Sequence, residues 1–314
     1  MCLSIFEHIL SGSFMKVQQI RNSMLLFLAA FIWGVAFVAQ SVGMDHVGPF
    51  TFSCSRSVLA FFFLVLFLIL RKLWGTSHGV PEQQVTPILT KREWIGGLWC
   101  GVALFAASNL QQIGLMDTSV GIAGFITTFY IILVPVFGIF LKKKVQTKTW
   151  ICVVLALTGL YFLCMKAGSF TIGRGDGLVF CSAVMFAVHI LTIDHFGKKA
   201  DGVSMSCIQF LVCAVLSGIC MFAVETPTLG NLKAAWLPIA YAGVLSSGVG
   251  YTLQIVGQKG MNPAAASLLM SLESVFSVLA GWVLLHQVLT ARELVGCGLM
   301  FLAVIFVQLP EYKK

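Results

Sequence analysis

The chain has 314 residues, 58% hydrophobic and 10% charged, with 20 Lys and Arg against 12 Asp and Glu for a formal net charge of +8. A soluble domain carries about 25% charged residues, so this composition excludes an ordinary soluble globular domain and describes a membrane protein. The positive balance does not point to nucleic acid, because the basic residues sit in short segments between apolar runs and not on one basic face.

Residues 1–22 are expected to be an N-terminal extension, partly disordered, and residues 1–14 have no signal-peptide pattern. Met15 opens "MKVQQIRNSM" and is a second candidate start. Apolar runs long enough to span a bilayer, roughly 17–25 residues each, then follow along the chain. They are read as helices at about 23–42, 50–70, 94–114, 119–141, 149–166, 176–194, 204–224, 235–257, 263–285 and 293–309. Continuous apolar runs favour helices over barrel strands, which alternate in segments of about ten. The predicted fold class is thus an all-α membrane protein with ten transmembrane helices.

An even number of spans puts both termini on one side. If that side is cytoplasmic, 15 of the 20 Lys and Arg lie there, among them Arg71, Lys72, Lys142, Lys143, Lys198 and Lys199. Only Lys166, Arg174, Lys233 and Arg292 lie opposite. The positive-inside rule therefore predicts cytoplasmic termini, with 310–314 as a cytoplasmic tail.

The chain also repeats itself. "LQQIG" at 110–114 recurs as "LQIVG" at 253–257, and at that offset Tyr130 meets Glu273 and Gly138 meets Gly281. The expected division is a first five-helix unit at 23–166 and a second at 174–309, joined near "GSFTIGRGDG". Five is odd, so the second unit enters the membrane inverted. Inverted repeats are a signature of secondary transporters, with the substrate site near the midplane.

Glu273 carries the strongest chemical signal. It lies roughly 15 Å along its span from Pro263, at the middle of an apolar core about 30 Å thick. A carboxylate there faces the bundle interior, a partner or water. It serves either in proton coupling or amine binding, or as a polar anchor between helices. Arg56 is the only basic residue well within a span; it pairs with Glu273, binds a substrate carboxylate, or snorkels to the headgroups. His189 is read as a proton relay or as a lone intramembrane hydrogen-bond donor. The repeat-related amides Gln111 and Gln254, with Asn109, either bridge helices or bind substrate. Tyr130 and mid-depth Trp33 are further candidates to line a cavity. Small residues Gly97, Gly101, Gly243, Ser246, Ser247, Gly248 and Gly250 mark close helix contacts.

Ten cysteines are present without a C-x-x-C pair, so they are read as small apolar fillers and not as a metal site or disulfide framework. "GRGD" at 173–176 matches the G-x-G-D pattern of intramembrane aspartyl proteases, but no second mid-membrane aspartate completes a dyad. Asp176 is better placed to favour a helix N-terminus. No H-E-x-x-H, Walker A or nucleophile-elbow pattern occurs either, so no enzymatic activity and no cofactor are expected.

Taken in order, "FLAAFIWGVAFVAQ", "PFTFSCSRSVLA", "LQQIGL" with "TSVGIAGFITTFYIILVPVFG", and "GMNPAAASLLMSLESVFSVLAGWVLLHQVLTARELVGCGLMF" resemble the EamA-type permeases of the drug/metabolite transporter superfamily. The resemblance covers about residues 23–309. It implies ten helices in two inverted five-helix units, and a central cavity lined by the first four helices of each. It also implies a permease, often an exporter, of amino acids or other small metabolites. One departure is that the family often has Glu-Pro where this chain has Glu273-Ser274, so a helix break made by that proline is not expected here. The expected substrate set is Trp33, Arg56, Asn109, Gln111, Tyr130, Gln254 and Glu273, with Glu273 and His189 for proton coupling. The expected partners are a small-molecule substrate and the lipid bilayer, with a homodimer compatible and no nucleic acid. The expected location is the plasma membrane, as in a bacterial inner membrane. The alternative is a non-transporting membrane protein such as a lipid flippase subunit or a scaffold.

Overall fold

The structure, a computed structural model, describes residues 2–78, 90–118, 120–143, 145–164, 173–284 and 288–309. The expected tail at 310–314, most of the junction before Gly173, and the ends of three predicted spans, 119, 165–166 and 285, lie outside the described residues. Among the described residues every regular element is helical.

In chain order the helices are α1 (Cys2–Met44), α2 (Pro49–Ser77), α3 (Lys91–Gly114), α4 (Val120–Thr127), α5 (Tyr130–Phe140), α6 (Thr147–Cys164), α7 (Arg174–Phe196), α8 (Gly202–Val224) and α9 (Leu229–Ala234). They continue with α10 (Trp236–Gly257), whose middle, Tyr241–Gly250, is π-helical, and then α11 (Pro263–Met270), α12 (Glu273–Leu284) and α13 (Ala291–Gln308).

Eight spans among the described residues are long and apolar enough to cross a membrane: Val17–Met44, Pro49–Ser77, Ile122–Phe140, Arg174–Phe196, Gly202–Val224, Trp236–Gly257, Pro263–Leu284 and Ala291–Gln308. The other two expected spans are helical but fall short of that measure. α3 begins Lys-Arg-Glu and carries Asn109, Gln111 and Gln112 near its end, which lowers its hydropathy. The apolar stretch of α6 is the shorter Thr147–Leu163. Large apolar side chains such as Phe62, Leu66, Trp99, Val154, Phe222 and Ile305 are exposed on the outer faces, as lipid-facing positions require.

The helix starts are fixed by local chemistry. Thr90 and Glu93 form a capping box on α3, and Thr290 and Glu293 do the same on α13. Asp201 caps α8 by accepting from Ser204 N at 2.9 Å. Asp176 accepts from Gly173 N at 2.8 Å and from the Thr118 hydroxyl. That is a capping role, as the sequence pattern suggested for "GRGD". The N-terminus of α2 follows Gly48, which offers no side chain, and Glu225 fills the gap from afar. Its carboxylate accepts from Phe50 N at 2.9 Å and Thr51 N at 2.8 Å.

The helices pack as α3 on α7 and α8, α2 on α8 and α10, α1 on α10 and α12, α5 on α7, and α6 on α13. Glycines let several pairs approach closely. A methyl on Gly97 would sit 2.6 Å from Ile208 Cβ, and one on Gly101 2.6 Å from Val212 Cβ. Gly159 and Gly296 face each other across α6 and α13, each within 2.9 Å of the other's carbonyl oxygen by the same measure.

Polar ties join the two halves at both ends. At the lysine-rich end Arg71 bonds Asp201 at 3.1 Å, Glu93 accepts from Asp201 N at 3.1 Å, and Lys143 pairs with Asp194. Asn22 there donates to the Lys259 carbonyl at 2.8 Å. At the other end Glu225 holds the start of α2.

Candidate functional site

Two of the spans are interrupted, and they are interrupted alike. In the span Ile122–Phe140 the α-helical pattern stops between Thr127 and Tyr130; in Pro263–Leu284 it stops between Met270 and Glu273. At the first break Phe129 N bonds Ile126 O and Ile131 N bonds Thr128 O, both one residue tighter than α-helical. At the second, Leu272 N bonds Leu269 O and Ser274 N bonds Ser271 O. These are the same two bonds at the offset that relates "LQQIG" to "LQIVG". Tight turns of this kind within a helix mark hinges or strained segments.

The sequence explains each break differently. In the first span Pro135 lacks the N–H that would bond Ile131 O, and its ring crowds that turn. The second span has no proline, yet it breaks all the same. Here serine hydroxyls compete for backbone carbonyls: Ser267 Oγ donates to Ala264 O at 2.9 Å, and Ser271 Oγ to Leu268 O at 2.7 Å. The span thus breaks at this place with Ser274, and no proline, after Glu273.

The two breaks meet. Tyr130 and Glu273 open α5 and α12, and Tyr130 Oη donates to Glu273 Oε1 at 3.0 Å. Beside them the Thr128 and Ser274 hydroxyls lie 2.8 Å apart. Glu273 is only 7% exposed and Tyr130 4%.

A cavity opens at this crossing. Trp33, Ala36, Phe37 and Gln40 of α1 form one wall, with Arg56 of α2 beside them. Gln111 and Thr127 close the α3–α4 side, Phe186 and Ile190 the α7 side, and Ser246, Tyr251 and Gln254 the α10 side. Met270, Tyr130 and Glu273 complete it. Gln111 Nε2 donates to Thr127 Oγ1 at 3.0 Å, and Trp33 Nε1 donates to Ser246 O at 3.1 Å. The second of these bonds holds α1 against the π-helical segment. Gly250 is required there, because a methyl on it would lie 2.7 Å from Trp33 Nε1. The Trp33 and Tyr251 rings pack at 4.7 Å between centroids. Gln254 Oε1 finds no hydrogen-bond partner among the described residues.

Six of the seven residues expected to meet substrate, Trp33, Arg56, Gln111, Tyr130, Gln254 and Glu273, therefore lie on one cavity. Asn109 does not. It donates to Phe105 O at 2.8 Å and to Ser217 Oγ at 3.1 Å, bridging α3 and α8. His189 is also elsewhere: it is wholly buried, and its Nε2 lies 2.8 Å from Gln209 Oε1. Arg56 and Glu273 share the cavity without forming an ion pair. Arg56 Nη1 reaches Gln40 Oε1 at 3.4 Å, and its guanidinium carbon stands 5.9 Å from the centre of the Phe52 ring.

Sequence reasoning missed Gln40, Phe37 and Tyr251. The first two carried a readable signal, since 33, 36, 37 and 40 share one helical face with Trp33. Tyr251 carried a weaker one, three residues before Gln254.

The chemistry this arrangement supports is binding. Among the described residues no group of three or more His, Cys, Asp and Glu is placed to hold a metal ion. The cavity offers one cation, one carboxylate, amides and aromatic faces at the centre of a helical bundle.

Comparison with known proteins is consistent with that. The model of the EamA-like transporter family matches this chain twice, over residues 21–165 and 173–309. An uncharacterized transporter of Archaeoglobus fulgidus is 30% identical over 295 residues, covering 93% of this chain and 87% of its own. The uncharacterized transporter YwfM of Bacillus subtilis is 24% identical, covering 93% of this chain and 95% of its own. A solved crystal structure, described only as that of a protein, superposes with a TM-score of 0.72 at 18% identity, over 91% of this chain and 96% of that one. That likeness speaks to the fold alone.

Proposed function

Since this chain belongs to the EamA-like transporter family and is a multi-pass membrane protein with a transporter's role, we propose that it carries a small polar metabolite across the plasma membrane by alternating access. The observation that carries this reading is the cavity at the junction of two broken spans. Irregular backbone at membrane depth is tolerated only where it is buried in protein or lines a cavity. Trp33, Arg56, Gln111, Tyr130, Gln254 and Glu273 are the residues proposed to meet the substrate there.

The proposed architecture is ten spans in two inverted five-helix repeats, with cytoplasmic termini. Two findings support it. The family model matches each half once. The helix pairings are also preserved when each half is exchanged for the other: α3 on α7 becomes α10 on α1, α3 on α8 becomes α10 on α2, and α2 on α8 and α6 on α13 map onto themselves. In such a molecule one repeat rocks against the other around a fixed central site.

Glu273 is the proposed proton carrier where transport is proton-coupled. It is a cavity carboxylate, and its one described partner, Tyr130, donates to it. His189 does not line the cavity: its Nε2 meets Gln209, and its ring packs edge-on against Tyr251 of the cavity wall. The test is flux: sealed vesicles containing only this chain should move at least one solute from a broad metabolite panel, saturably. No flux for any solute would refute transport by this chain alone.

A further inference from the structure

We infer that Arg56 and Gln40 form an anion site in the central cavity, and that the cognate ligand is a monocarboxylate on an apolar or planar body. This rests on reading the cavity as the transport site. Arg56 is 5% exposed, lies well inside α2 and lines the cavity. A guanidinium offers five N–H donors in a planar fork. One of them reaches Gln40 Oε1 at 3.4 Å, and no other protein acceptor bonds Arg56 among the described residues. Gln40 is held in turn by its own helix, its Nε2 donating to Ala36 O at 3.3 Å.

Ionisable side chains inside a membrane are paired or serve a pathway. Among the described residues Arg56 has no carboxylate partner within ion-pair distance. Glu225 is occupied with the N-terminus of α2, and Glu273 with Tyr130. The missing counter-charge is therefore supplied from the cavity.

The ligand chemistry follows from the fork and the walls. A carboxylate matches a guanidinium through two parallel hydrogen bonds. A single cation, with Glu273 on the same cavity, suits one negative charge and not a phosphate dianion. Trp33, Phe37, Phe186 and Tyr251 supply apolar and aromatic walls for the rest of the molecule.

The test uses the purified full chain in detergent, titrated calorimetrically with benzoate, phenylacetate and 3-phenylpropionate, each against its primary amide and against sodium chloride. At least one acid should bind, with its amide at least tenfold weaker. Arg56→Gln should remove the acid's advantage and Arg56→Lys should keep part of it. Should Arg56→Gln fail to fold, Gln40→Leu serves instead, and it should weaken the acids several-fold and leave the amides unchanged. Equal binding of acid and amide, no binding by any acid, an equal response to chloride alone, or unchanged acid affinity in the folded variant would each overturn the inference. Vesicle flux separates the two claims. Arg56-dependent acid binding with no flux of any solute refutes transport and leaves the anion site standing; flux of a solute without any Arg56-dependent acid binding does the reverse.

Discussion

Tyr130 and Glu273, which occupy equivalent places in the two halves of the sequence, are joined by a 3.0 Å hydrogen bond at the point where their two spans both break. The bond ties one half of the chain to the other at the depth of the cavity. Any motion that separates the halves there must break or re-form it.

Tyr130→Phe removes the donor and leaves Glu273 buried without its described partner. Losing one side of a buried hydrogen bond costs about 1–3 kcal/mol. The variant should melt lower in detergent than the parent. Glu273→Gln keeps an acceptor for Tyr130 and should melt closer to the parent. If Glu273→Gln is the less stable of the two, the bond is not the chief role of that side chain.

Ser274→Pro restores the dipeptide common in the family. Proline is tolerated in the first turn of a helix, and Ser274 N makes only a 3.2 Å bond to Ser271 O within an already tightened turn. The variant should fold and retain flux, with a stability loss of about 2 kcal/mol from that bond and from the lost hydroxyl contact with Thr128. Proline in place of Leu279, in the interior of α12, should cost about 3 kcal/mol or more. Equal melting temperatures for the two variants would contradict a pre-existing break.

Gly159 and Gly296 set the spacing between α6 and α13. Gly296→Ala would place a methyl 2.7 Å from Gly159 O and 2.7 Å from Leu163 N, so the helices must separate. Gly298, on the same helix, has nothing within 4 Å of a built methyl. Gly298→Ala should be neutral or stabilising by up to about 1 kcal/mol from helix propensity. Gly296→Ala should lower the melting temperature. Comparison of the two by thermal unfolding checks the contact.

Asp201 gives a pH dependence. Burial raises its pKa, but the hydrogen bonds from Arg71 and Ser204 outweigh burial and hold it below the usual 3.8. A carboxyl with a lower pKa in the folded state stabilises that state above its unfolded value. The contribution is lost as pH falls through the folded value. The melting temperature of the parent should therefore fall below about pH 4, and Arg71→Gln should flatten part of that decline. With the Asp201 side chain 33% exposed the effect is modest. An Arg71→Gln profile parallel to the parent would show that the pair does not contribute.

The sequence could place Tyr130 opposite Glu273 because a repeat offset is a matter of counting, and both spans keep that offset without slippage. Cavity lining was legible where a polar side chain stood alone in an apolar run, as with Arg56 and Glu273. Asn109 and His189 gave the same signal but turn towards α8, where Ser217 and Gln209 receive them. Which neighbour a helix face meets is decided by packing that no single span encodes. The break at Ser271 was hidden for a related reason. Serine bends a helix only when its hydroxyl takes a backbone carbonyl, and that choice depends on what else surrounds it.

The central claim is that the cavity at the crossing of the two broken spans is the transport site. The direct test is the initial rate of flux into sealed vesicles for the parent, Trp33→Ala, Glu273→Gln, and the lipid-facing control Leu302→Ala. The account predicts that both cavity variants lose at least tenfold in rate while folded protein is retained, and that Leu302→Ala matches the parent. Parent-like flux in both cavity variants would contradict it.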